Sequence, residues 1–174
     1  MNKYMQTKIP NVCKVKWAYN SRMVNVVDSN YPEILTCLGE MYLGEEVWDG
    51  ETSSTARGLH GFLLDFDTIF YLKVFAEIFS FSDILYLTLQ SKELDFVTCT
   101  NSVNETKSNI SKLKDEVKFQ EVLTSCLERA GIANERRHEY TKLYKVYCSL
   151  LDRILNQIDL RFKDMLTISG IVYC

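Results

Sequence analysis

Little in this sequence breaks a helix. Of its 174 residues only two are proline and seven are glycine, and both prolines, Pro10 and Pro32, precede residue 33. From Glu33 onward no residue lacks a backbone donor, so long uninterrupted helices are permitted. Long apolar runs are missing too. The most apolar stretch, residues 66–90, is interrupted by Asp67, Lys73, Glu77 and Asp83, whereas a membrane span needs about 20 predominantly apolar residues. It reads instead as a soluble helix buried among others, with no membrane partner.

The six cysteines (Cys13, Cys37, Cys99, Cys126, Cys148, Cys174) form no C-x-x-C pair, and the two histidines, His60 and His138, stand alone. That scatter excludes a local zinc module. Equally absent are G-x-S-x-G, a glycine-rich phosphate loop, H-E-x-x-H and an EF-hand pattern, so no local catalytic or cofactor signature exists. A lone histidine without an orienting partner is a structural or solvated residue. The acid pairs Asp65/Asp67 and Glu45/Glu46 fall where helix caps and solvated turns place carboxylates. The opening MNKYMQTKIPNVCKVKW has no apolar core of the secretory kind, which predicts an intracellular chain, nuclear or cytoplasmic, with reduced thiols. In that setting the sequons at Asn104 and Asn109 carry no sugar.

What is present is an ordinary globular balance, 47% hydrophobic and 25% charged, in a length suited to one domain with a sizeable core. The formal net charge of −3 gives no general attraction for nucleic acid. Apolar residues recur at helical spacing almost throughout. Helices are expected over 20–30, 31–43 (with Asn30 and Glu33 as capping box and Gly44 as stop), 52–64, 66–90 after an Asp65 cap, and 96–117. The amphipathic pattern continues over 115–130 to a stop at Gly131, and a last helix runs to about Met165. The expectation is an all-α bundle of about six helices over 20–165. Residues 1–19 form an extended lead-in with a short strand near 12–15, and 166–174 an apolar, abruptly ended tail with some strand character.

Two groups of residues merit a functional reading. Phe96, Val103, Ile110 and Val117 recur every seventh position, a narrow seam suited to packing on a partner helix or a second copy. Around Lys14-Val-Lys16-Trp17-Ala-Tyr19-Asn-Ser-Arg22, three cations flank two aromatics. Cations can hold phosphate while an indole stacks on an unpaired base. The alternative is that Trp17 anchors the lead-in to the core.

Three landmarks in order resemble the hAT superfamily of DNA transposases, with its domesticated zinc finger MYM-type and protein-kinase-inhibitor-repressor-like relatives. Lys16-Trp17…Asn20-Ser21-Arg22 is similar to that family's Arg-Trp followed by Asn-Ser-Arg. Leu89-Gln90-Ser-Lys92-Glu-Leu-Asp95 resembles its Leu-Gln-x-Lys-x-x-Asp helix end, and Leu151-Asp152…Ile158-x-x-Arg161-Phe162 its late helix. Together they span roughly residues 14–165. The resemblance implies the helical insertion between the second and third metal-binding carboxylates of a ribonuclease-H-like core. Two carboxylates are then expected upstream of Met1 and one downstream of Cys174, so two-metal strand cleavage is not expected of this segment alone. A divalent metal belongs only to the complete transposase, and no small-molecule substrate is expected. Trp17 would take the family's base-stacking role, with Lys16, which lacks the bidentate fork, in place of arginine.

Overall fold

The computed structural model describes the backbone of residues 17–44, 48–91, 95–131 and 139–172, and the side chains of residues 20–163 within those ranges. Among the described residues it has seven helices and no strand: α1 (Trp17–Ser29), α2 (Tyr31–Leu43), α3 (Gly50–Leu64), α4 (Phe66–Leu89), α5 (Phe96–Lys112), α6 (Glu116–Ala130) and α7 (Tyr140–Val172). No described helix is long and apolar enough to cross a membrane.

One capping device recurs. Asp49 accepts from Thr52 N at 2.9 Å, Asp95 from Thr98 N at 2.8 Å and Asp65 from Thr68 N at 3.2 Å. In each case a carboxylate satisfies an amide of the first turn that has no partner within the helix. Asn30 departs from its expected role. Its side-chain amide donates to Val26 O at 2.8 Å and makes no cap bond to α2. It closes α1 instead, while Pro32 fills a first-turn position of α2 that needs no donor.

The expected run over 96–130 divides, which raises the helix count from about six to seven. Leu113, Lys114 and Asp115 donate to Ile110, Ser111 and Lys112, the three-residue spacing of a turn. The ends differ as well: α1 takes residues 17–19 from the lead-in, and α7 carries the backbone through Val172, so 166–172 are helical. The strand expected near 12–15 lies outside the described residues.

The chain forms two compact units, one of residues 1–76 with 124–133, the other of 77–123 with 134–174. In the first, Val26, Ile34, Ala56, Phe66, Ile69, Phe70 and Val74 are buried. A polar cluster ties α1 to the end of α6: Arg129 donates to Asp28 at 2.5 Å, Lys73 stands 3.7 Å from the same carboxylate, and the Arg129 guanidinium lies 5.1 Å over the Tyr31 ring. Tyr31 donates to Leu63 O at 2.6 Å, fixing α2 against the end of α3.

The second unit is built on an antiparallel pair. Lys107 is bonded to Asp159 and Lys114 to Asp152. A step of seven residues along α5 and into the turn after it thus matches a step of seven back along α7, the heptad interval of packed helices. Val103, Ile110, Phe119 and Leu151 are fully enclosed there. Tyr147 donates to Leu113 O at 2.8 Å and Tyr144 to Lys114 O at 2.9 Å, so two tyrosines of α7 satisfy carbonyls at the end of α5. Burial pushes the Tyr147 hydroxyl well above its ordinary pKa, and that of Cys126, in the first unit, up to about 12.

Candidate functional site

The seam Phe96, Val103, Ile110, Val117 is not an open surface. Val103 and Ile110 are 0% exposed, and Val117, 62% exposed, stands on α6 because α5 ends at Lys112. Phe96, the first residue of α5, is exposed at its edge. The heptad spacing did mark a helix pair, but the partner is the chain's own α7. Of the cationic-aromatic group, Arg22 is exposed on α1, whose first residue is Trp17. Lys16 and the Trp17 side chain lie outside the described residues, so no joint geometry of the three is defined.

His60 has a structural setting. Tyr42 Oη and His60 Nδ1 are 3.3 Å apart, the rings meet edge-on at 5.4 Å, and Arg57 lies 5.4 Å over the Tyr42 ring. His138 and the Glu45/Glu46 pair lie outside the described residues. Asp65 is spent on its cap. Among the described residues no group of three or more histidines, cysteines and acids stands together as a metal site.

The feature that stands out is a groove in the first unit. It has a volume of about 480 Å³ and runs between α1 (Met23, Val27), α2 (Met41), α3 (Leu59, Phe62) and the start of α4 (Leu72). Thr68 and Cys37 are its only lining residues that are not purely hydrocarbon or thioether. Leu59 and Phe62 stay 49% and 63% exposed at its lip. Helix α3 is amphipathic as its spacing requires, yet only Ala56 of it is buried. This open apolar groove is the candidate binding region of the first unit.

The spacing of Ala56, Leu59, Phe62 and Leu63 puts them on one side of α3 without saying what that side meets. The pattern is the same whether a face meets the chain's own core or waits for a partner, so no sequence signal separated the two. No family model, curated protein or solved structure matches the chain.

Proposed function

We propose that the chain is a helical assembly segment, non-catalytic by itself and of the hAT-transposase insertion type, that works by holding a helix of a partner protein in the groove of its first unit. The open apolar groove carries this reading. An amphipathic helix inserts anchors at i, i+3/i+4 and i+7 into a surface of this chemistry, and Met23 and Met41 supply unbranched, polarisable side chains that adapt to such anchors.

The test uses the full chain and a series of synthetic amphipathic helices that share one Leu/Phe face and differ in the charge of the other. At least one member should bind saturably by calorimetry. Binding should be lost in Phe62→Asp, whose exposed position leaves the circular dichroism spectrum unchanged. If no member of the series binds, the assembly reading is wrong.

A second reading, DNA-end handling, draws support from the exposed Arg22 on a helix that opens at Trp17 and from the family resemblance. It requires salt-dependent binding of hairpin or branched DNA that disappears in Trp17→Ala and weakens in Lys16→Ala.

A further inference from the structure

We infer that the groove of the first unit is selective for a cationic amphipathic helix, one whose apolar face is flanked by lysine or arginine. This rests on the helix-binding function proposed above and adds the chemistry of the partner.

The lining excludes most other ligand classes. Sites for small molecules combine apolar walls with a few convergent polar groups that fix orientation, whereas Thr68 is the only lining side chain here with a hydroxyl or amide. A helix presenting leucine and phenylalanine needs no such group. It needs length, apolar walls and suitable charge at the rim.

The rim supplies that charge. Glu33 and Glu40 are exposed, and each lies three or four residues from the lining Cys37. Residues at that spacing are neighbours on a helix surface, so the two carboxylates border the groove along α2. Asp65 and Asp67, both exposed, bracket the start of α4 immediately before the lining Thr68.

The whole unit has the same sign. Over residues 1–76 and 124–133 the sequence has ten carboxylates and eight Lys/Arg, a net charge of −2. Of the cations nearest in the described fold, Lys73 and Arg129 are committed to Asp28, and Arg57 to the face of Tyr42. A lysine-flanked helix therefore meets complementary charge, and a glutamate-flanked one meets repulsion.

The experiment compares three peptides of one helical length and one Leu/Phe face, flanked by Lys, Gln or Glu, against the full chain carrying methyl-labelled methionine. The Lys peptide should bind about ten-fold more tightly than the Gln peptide at low salt, an advantage that shrinks as salt screens the rim. The Met23 and Met41 methyl signals should shift on binding. Glu33→Gln combined with Glu40→Gln should cut the Lys advantage by about three-fold or more while leaving the Gln peptide's affinity unchanged, because these carboxylates contribute charge and not packing.

Equal binding of the Lys and Gln peptides overturns the charge selectivity and leaves helix binding standing. Silence from all three peptides overturns both. Binding that leaves Met23 and Met41 unmoved, or that ignores the Glu33/Glu40 substitutions, removes the groove as its seat. Concentration-dependent dimerisation lost in Phe62→Asp, with no peptide bound, would assign the groove to a second copy and overturn the inference.

Discussion

At Gly44 the chain leaves α2 with an ordinary φ of −74° and donates to Glu40 O at 2.9 Å. A Cβ there would lie 2.4 Å from the same carbonyl oxygen, so the demand on this residue is for space. At Gly131 nothing stands near, but φ is +64°, a region that non-glycine residues enter at a cost. Chemical denaturation should separate the two. Gly131→Ala should cost about 1 kcal/mol, with much of it recovered by Asn, which tolerates that backbone region. Gly44→Ala should cost about 1–3 kcal/mol through a displaced helix end, and Asn should recover none of it. Both glycines were legible as helix stops, whereas the difference in mechanism depends on carbonyl positions that a sequence does not display.

Cys126 gives a second prediction at this scale. Its thiol is fully enclosed, with Ile69 O 3.9 Å away, and burial pushes its pKa up to about 12. The folded state thus disfavours the thiolate, the species that reacts. At mildly alkaline pH the half-exposed Cys99 and Cys148 should be alkylated in the native protein, and Cys126 only on unfolding. A raised folded-state pKa also means that its contribution to stability is intact below the ordinary thiol pKa and is lost as pH rises toward about 12. The midpoint of thermal unfolding should therefore fall over that window, and fall less in Cys126→Ala than in the parent.

Among the elements, α5 depends on α7 for its ending. Tyr147 is buried and donates to Leu113 O, one of the final carbonyls that a helix cannot satisfy for itself. Tyr147→Phe keeps the ring contacts with Phe119 and strands that carbonyl, which should cost about 1–3 kcal/mol in urea unfolding. Tyr144→Phe should cost less, because that side chain is only part-buried and water can replace its hydroxyl. Equal losses would mean that ring packing outweighs the hydrogen bond. The helix start at Asp65 was readable as a cap, and Asp95, read only as the end of a family landmark, caps α5 in the same way, an aspartate three residues before a threonine in both cases. Asn30 misled because an amide both donates and accepts, and the choice between capping α2 and closing α1 depends on where Val26 O lies.

For the whole molecule, the all-helical class followed from the shortage of proline and glycine and the continuous helical spacing. The placement of apolar faces did not follow. Val103 and Ile110 were legible as a seam, yet periodicity cannot say whether the matching helix belongs to the same chain, and here Lys107–Asp159 and Lys114–Asp152 show that it does. Charge settles a last expectation at this scale. A chain of net charge −3 has little to gain from the counterion release that drives non-specific DNA binding. Random duplex should not be retained at about 0.15 M salt, with no steep dependence on salt below it. Hairpin DNA is the discriminating probe, since stacking by Trp17 on an unpaired base needs only a local group. Under the assembly function hairpin and duplex should behave alike, and Trp17→Ala should change neither. A hairpin-selective signal erased by Trp17→Ala would move the chain's principal role from the groove of α1–α4 to the start of α1.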